Sequence, residues 1–230
     1  MRQRIQLAFF VPFCVAIFAT PMALPARSFA GSLMGDVSAT MKGDVTRAAG
    51  VDVLIVPATA RFHREWERLQ TEYEEGITPV AAEYESLHAQ EESLRLRGAA
   101  ASYTSGTTVG RQIEETPRRL MLSQQSAALV DQMMRLGRER WRPLQETYTL
   151  AAIRLVEQRA TARVPTDRNG HFEVTLPSGR YYLFCRYQLA EQTMYWLVPA
   201  HVQGSTRAKI SLSNRTATRS PLRGRTWTNL

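Results

Sequence analysis

The chain has 230 residues, of which 44% are hydrophobic, with a formal net charge of +8 and two cysteines. Cys14 lies in an N-terminal segment that we predict to be removed, which leaves Cys185 alone and excludes an intramolecular disulfide. The fold must therefore depend on its apolar core, which is feasible at this size. Loss of Arg2, Arg4 and Arg27 with the segment would reduce the charge to +5. That modest excess gives no reason to expect a nucleic-acid partner.

Residues 1–30 have the organisation of a secretory signal peptide. A positively charged start is followed by an apolar run, Leu7 to Ile17, that is short for a bilayer span, and Ser28-Phe29-Ala30 forms a small-x-small cleavage site. We predict cleavage after Ala30 and a periplasmic or secreted protein with no membrane span after signal removal. The alternative is a retained N-terminal anchor helix, which Pro12 within the run disfavours.

Residues 31–57 are predicted to form the first part of a β-sandwich. Apolar residues alternate along two runs, which a turn at Lys42-Gly43-Asp44 separates and Pro57 ends. The alternating residues are Leu33, Gly35, Val37 and Ala39 in the first run, and Ala49, Val51, Val53 and Ile55 in the second.

Residues 58–160 are predicted to form a helical hairpin inserted into the sandwich. Apolar residues recur at alternating steps of three and four, which is typical of two helices packed along a seam. The outgoing stripe comprises Phe62, Trp66, Leu69, Tyr73, Ile77, Val80, Tyr84, Leu87 and Leu94, with Glu91 as its polar exception. The returning stripe comprises Ile113, Leu120, Ala127, Val130, Met134, Trp141, Leu144, Tyr148, Ala151 and Leu155. The loop from Gly98 to Gly110, rich in small and polar residues, is the predicted bend.

Residues 161–213 are predicted to complete the sandwich. Asp167, Asn169 and Gly170 provide a tight turn before a β-hairpin. The residues expected to point inward are Phe172, Val174, Leu176, Tyr181, Leu183 and Cys185, then Met194, Trp196 and Val198, and finally Ala208, Ile210 and Leu212. Tyr195 and Leu197 make the second face of their strand apolar as well. We therefore expect this strand either to be central in its sheet or to be covered on one side by the root of the arm.

The two sandwich parts together resemble a known family. Residues 166–172 have the order Thr-Asp-x-x-Gly-x-Phe, and residues 176–183 the order Leu-Pro-x-Gly-x-Tyr-x-Leu. These motifs resemble the carboxypeptidase regulatory-like domain, a small transthyretin-like sandwich related to carbohydrate-binding-like folds. Gly35, Val37, Gly43, Gly50, Val51 and Val53 match the first strands of that family. The resemblance implies a small antiparallel β-sandwich and a mostly non-catalytic family. Together with the helical hairpin predicted from the periodicity, which the family's usual domain lacks, it gives an α+β chain in which the sandwich is interrupted by a long antiparallel α-helical hairpin.

Residues 214–230 are predicted to form a flexible basic tail, because no periodicity continues beyond Asn214 and no acidic residue follows Glu191. The tail is a candidate surface for an anionic polymer, with a simply solvated tail as the alternative. The residues concerned are Arg215, Arg219, Arg223, Arg225 and Trp227.

Signals for catalysis or metal binding are weak. The sequence contains no Gly-x-Ser-x-Gly elbow, no phosphate-binding glycine loop, no His-Glu-x-x-His and no cysteine pair for zinc. Three pairs have ligand-like spacing, namely Glu85 with His88, His63 with Glu67, and Asp167 with Asn169. Chance spacing on a charged helix surface is the favoured explanation of the first pair, an exposed ion pair explains the second equally well, and the turn needs the third for backbone hydrogen bonds. We therefore predict no catalytic residue, no cofactor, no metal and no enzymatic activity.

Two kinds of binding surface remain open. Tyr182, Phe184 and Tyr195 lie on the second face of their strands, where an exposed aromatic platform could stack a sugar ring. The alternative is that the helical hairpin covers them. We expect a non-enzymatic binding or structural protein that presents its helical arm to a protein partner in the cell envelope, and the runner-up function is glycan binding on the sheet face.

Overall fold

The structure is a computed structural model that describes residues 30–41, 44–103, 109–189, 192–204 and 206–223. Within these residues the chain is an α+β protein, with a β-sandwich interrupted by a long helical hairpin. The first strands are β1 (Ala30–Met41), β2 (Asp44–Arg47) and β3 (Asp52–Pro57). The hairpin consists of α1 (Ala60–Tyr103), α2 (Val109–Leu136), a π-helical turn (Gly137–Trp141) and α3 (Arg142–Arg159). The later strands are β4 (Ala162–Pro165), β5 (His171–Pro177), β6 (Gly179–Leu189), β7 (Gln192–Val202) and β8 (Arg207–Leu212).

The strands form two sheets of four. In the first sheet, β1 pairs with β5, β2 and β8, and the second sheet has the order β4-β3-β6-β7. Every pair is antiparallel except β1 with β8, which is parallel. The predicted α+β fold with an antiparallel sandwich is confirmed, and the parallel pair of β1 with β8 is a local exception to it. The cause is that β8 crosses from the second sheet to the first after β7, and a crossover, unlike a hairpin, can deliver a parallel strand.

The inner faces of the two sheets enclose one apolar core. The predicted inward residues of β1, β3, β5, β6 and β7 are confirmed, with Leu33, Val53, Leu183 and Trp196 fully buried. Cys185 is buried among them, and desolvation raises the pKa of its thiol to about 12. The thiol is therefore protonated and packs as a small apolar group.

A second core joins the root of the arm to the outer face of the second sheet. Phe62 of α1 and Ile153 and Val156 of α3 cover Leu54 and Val56 of β3 in this cluster. The Glu65 carboxylate, close by on α1, accepts two hydrogen bonds from the Arg159 guanidinium of α3, at 2.8 and 2.7 Å. These bonds, with one from Arg61, lower the pKa of Glu65. The arm therefore shares apolar packing with the sandwich at its root.

Residues 213–223 form a strap across the molecule, so the prediction of a flexible tail from residue 214 is wrong as far as 223. Thr218 pairs with Tyr195 of β7 through two backbone hydrogen bonds of 2.9 and 2.8 Å. Leu222 is buried in the apolar cluster of the arm. The Gln70 side-chain amide on α1 then binds both the N–H and the carbonyl of Arg223. Periodicity could not indicate this segment, because its order comes from isolated contacts.

Three further predictions fall wholly or partly outside the described residues. The signal peptide occupies residues 1–30, of which the structure describes Ala30 alone, at the start of β1. Residues 104–108 of the predicted bend and residues 224–230 of the predicted tail also lie outside. Among the described residues, no helix combines the length and apolarity needed to cross a bilayer.

The strand register makes a prediction about stability. Leu183→Ala should lower the free energy of unfolding by about 2–5 kcal/mol, because it removes a large side chain that is fully buried in the sandwich core. Arg186→Ala, at an exposed position of the same strand, should change it by about 0.5 kcal/mol or less. Denaturant unfolding measures both values. Equally mild effects would contradict the register of β6.

Candidate protein-binding surface

The aromatic residues of the second sheet do not form an open platform. Phe184 is 3% exposed and Tyr195 is 9% exposed, because the root of the arm packs over them. Tyr182 is half-buried, with its ring 5.6 Å from the ring of Phe62. The reading of Tyr182, Phe184 and Tyr195 as a sugar-stacking face is therefore wrong, and the alternative, coverage by the hairpin, is the arrangement found.

The arginines of the predicted tail are distributed along the strap. Arg215, Arg219 and Arg223 are exposed, while Ser220 and Leu222 between them are buried. The strap thus uses its apolar and hydroxyl residues for packing and leaves its charges in solvent. Arg225 and Trp227, the other members of the candidate anionic surface, lie outside the described residues.

The pairs with ligand-like spacing are accounted for by local contacts. The ring of His88 stacks on Tyr84, with centroids 6.4 Å apart, and the ring of His63 lies edge-on to Tyr182 at 5.5 Å. Asp167 accepts the backbone N–H groups of Asn169 and His171, both at 2.8 Å, and this bonding lowers the pKa of its carboxyl. Within the described part of the chain, no three His, Cys, Asp or Glu residues form a group that could hold a metal ion.

An open cleft of about 670 Å³ lies near the turn between β4 and β5. Its carboxylates already accept hydrogen bonds within the chain, from the Ser211 hydroxyl to Asp36 and from the Ser32 hydroxyl to Glu173. The phenyl ring that lines it, Phe172, is buried in the core, so this ring is not available for stacking.

The helical arm extends beyond the core of the sandwich and beyond the second core at its own root. Near its root, Tyr73, Ile77 and Val80 of α1 pack with Trp141 and with the half-buried Leu144 and Tyr148 of the returning chain, as their spacing predicted. Toward the bend, the outgoing stripe continues through half-buried Leu87 and Leu94. Glu91, its polar exception, accepts a hydrogen bond of 2.9 Å from the Ser126 hydroxyl of α2. This bond fixes which residues of α2 face α1.

The returning stripe was predicted in the wrong register for α2. Among the described side chains of α2, buried or half-buried residues recur at steps of three and four, at Leu122, Ser126, Leu129, Met133 and Leu136, which we call the seam, and Arg119 and Met134 are half-buried as well. The predicted residues Leu120, Ala127, Val130 and Met134 are rotated from the seam, since the last three each follow a seam residue, and one residue corresponds to about 100° of rotation. The prediction holds for Trp141, Leu144 and Tyr148 and fails for Leu120, Ala127 and Val130, which are exposed.

The π-helical turn causes this shift of register. The Arg142 N–H donates to the carbonyl of Gly137, five residues back, so Leu136 and Trp141 can both face α1 although five residues separate them. Pro143 gives the physical reason, because it has no N–H for the carbonyl four residues back and its ring would clash with that carbonyl in an α-helix. A wider turn relieves this clash.

The register shift leaves an apolar stripe on the surface of α2. We define this α2 stripe as Leu120, Ala127, Val130 and Met134, in which Leu120 is 59% and Val130 is 41% exposed. Ala127 is also exposed and Met134 is half-buried. Met121, beside the stripe, and Leu96 on α1 add further exposed apolar side chains. These residues lie in the part of the arm toward the bend, which we call the distal arm. Most of the large apolar side chains that are exposed in the described chain belong to it.

Comparisons with known proteins give weak likenesses. No protein-family model matches the chain, so the resemblance to the carboxypeptidase regulatory-like domain remains a prediction. No curated protein matches either. A proposed carbohydrate-binding protein from Pseudomonas aeruginosa is 15% identical, with 82% of this chain and 90% of that chain covered and a TM-score of 0.34. The pilus backbone protein RrgB of Streptococcus pneumoniae is 15% identical, with 79% and 40% covered and a TM-score of 0.24. Likenesses of this strength establish no shared function.

Adjacent methionines provide a test of the α2 register. Met133 is buried in the structure, whereas Met134 belongs to the half-exposed stripe that the sequence pattern placed in the helix contact. Met133→Ala should lower the free energy of unfolding by about 2–5 kcal/mol, and Met134→Ala by less than about 1 kcal/mol. Thermal or denaturant unfolding followed by circular dichroism measures both. A larger loss for Met134→Ala would restore the uninterrupted heptad alignment and remove the α2 stripe.

Proposed function

We propose that this protein is an exported, non-enzymatic binding protein in which the sandwich serves as the anchor and the distal arm binds a protein partner in the cell envelope. Export follows from the predicted signal peptide, and envelope location from export. The observation that carries the proposal is the exposed α2 stripe, because soluble proteins keep clustered apolar surface of this kind chiefly for interactions.

The buried residues of the arm lie near its root, which supports a packing role for the root and a binding role for the distal end. On α1 the last buried residue of the arm clusters is Ala81, and on the returning chain the first is Leu136, with Met133 buried one turn before it. Tyr84 and Leu87 are half-buried against the same cluster, and beyond them, toward the bend, the residues whose side chains are described contribute to neither arm cluster. The distal arm is therefore dispensable for the sandwich and available for a partner.

Removal of the distal arm tests whether the sandwich and the root of the arm fold without it. A variant in which residues 92–125 are replaced by a short Gly-Ser loop should remain folded, because chain closure is cheap and both arm clusters are retained. Removal of the whole arm, residues 58–160, should instead give an aggregating product, since Leu54, Val56, Phe184 and Tyr195 would lose their cover. Circular dichroism and size-exclusion chromatography measure both outcomes.

Photo-cross-linking in the producing cells then locates the binding surface. A photoreactive phenylalanine at Leu120 should give protein adducts, and the same group at Thr175, an exposed residue of β5 in the sandwich, should not. Leu120→Glu in the full chain should abolish partner co-purification, whereas Leu150→Glu, at a similarly exposed apolar residue of α3, should preserve it. Adducts from Thr175 alone, or from neither position, would contradict binding through the arm.

A further inference from the structure

We propose that the partner bound by the α2 stripe is a second copy of this chain, and that two arms pair through their α2 helices in antiparallel orientation. The inference rests on the proposed function, since it names the occupant of the same surface. It is argued from three features of α2, namely its lack of charge, its symmetry and the charges at its two ends.

Apart from Met134, the α2 stripe lies in a segment without charge. Residues 120–130 read Leu-Met-Leu-Ser-Gln-Gln-Ser-Ala-Ala-Leu-Val, although the rest of the arm is rich in arginine and glutamate. A second helix can therefore lie along this segment without desolvating a charged side chain of α2. Ser123 and Ala127 are small and exposed, which lets two helix backbones approach closely at the centre of the contact.

The order of side chains along this segment is self-complementary when reversed. If Gln125 marks the position of a two-fold axis, Leu120 of one copy lies at the level of Val130 of the other, and Ser123 lies at the level of Ala127. Large side chains are thus at both ends of the contact and small ones are in the middle, as an isologous interface requires. The exposed apolar residues of one copy then cover those of the other.

The charges at the ends of the segment favour the antiparallel arrangement. Arg119, which is half-buried in the arm, precedes the uncharged segment, and the exposed Asp131 follows it. Antiparallel pairing about Gln125 brings Arg119 of each copy to the level of Asp131 of the other, whereas parallel pairing would place like charges side by side. Since α1 and α2 run from the sandwich to the bend and back, the two sandwiches would lie at opposite ends of the pair. With about 35 residues of helix on each side, they would be separated by roughly 100 Å if the arms are straight.

Sedimentation velocity of the full-length protein over a concentration series tests the association. We expect an elongated dimer in reversible equilibrium with monomer. Leu120→Glu should weaken the dimer more than about 100-fold in dissociation constant, because it buries an unpaired charge at the contact. Leu150→Glu adds the same charge at a similarly exposed apolar position of α3 and should leave the dimer unchanged. A wild-type protein that stays monomeric at every concentration would overturn the inference.

Cysteine cross-linking tests the orientation. In a Cys14→Ser background, a mixture of Leu120→Cys and Val130→Cys proteins should form a disulfide between copies, since these positions lie at the same level. Each variant alone should not, because identical residues would be about 15 Å apart along the helix, beyond the reach of a disulfide. Cys185 is buried and does not compete. Disulfides within each single variant would indicate parallel pairing and overturn the inference.

The two proposals can fail separately. If the photoreactive group at Leu120 gives adducts with another protein while the purified chain remains monomeric, binding through the arm stands and the second copy is excluded as the partner. If Leu120 gives no adduct and the protein is monomeric, both proposals are excluded.

Discussion

Pro143 cannot donate a hydrogen bond to the helical turn before it, and the geometry of the arm depends on how the chain accommodates this. The π-helical turn at Gly137–Trp141 moves the clashing carbonyl away and adds one residue between two contact positions, Leu136 and Trp141. All of α2 is thereby rotated relative to the repeat that continues from α3. Its seam consists of residues that the repeat would expose, and the α2 stripe consists of residues that the repeat would bury.

A different constraint determines the position of the arm's root. Both faces of the second sheet are apolar, so both must be covered. The inner face packs on the first sheet, and the outer face is covered by Phe62, Ile153, Val156 and their neighbours on the arm. The strap adds a second connection, since Leu222 packs with the arm and Thr218 extends the edge of β7. The sandwich and the proximal arm are therefore cooperative in packing, and the distal arm is free of both cores.

Much of this fold could be predicted from local patterns. The alternation in β5, β6 and β7 identified the core residues, because successive side chains of a strand point to opposite faces of the sheet. The outgoing stripe on α1 was predicted correctly because no π-turn interrupts it, whereas the returning stripe was continued at the same steps of three and four through Gly137, a position recognised as weak but not as a change of register. β2 was missed because all four of its side chains are exposed and show no alternation. The strap was missed because two isolated contacts, at Thr218 and Leu222, order it.

The candidate binding surface could not be predicted for the same reason that the α2 register could not. A sequence pattern shows that Leu120, Ala127 and Val130 share one side of a helix, but it does not show which side faces α1. The hydrogen bond between Glu91 and Ser126 supplies that information, because it aligns two polar positions within an otherwise apolar contact. The aromatic platform on the second sheet was wrong as a prediction because residues that alternation placed on an outer face are covered by the root of the arm.

The register of α2 against α1 is the central claim, and intrachain disulfide formation measures it most directly. In a Cys14→Ser background, Glu91→Cys combined with Ser126→Cys should oxidise within one chain, because residues 91 and 126 face each other across the hairpin, as the hydrogen bond between their native side chains shows. Glu91→Cys combined with Ala127→Cys should remain reduced under the same conditions, because residue 127 points about 100° away from the seam. Faster oxidation of the 91–127 pair would contradict the account and place the α2 stripe inside the hairpin.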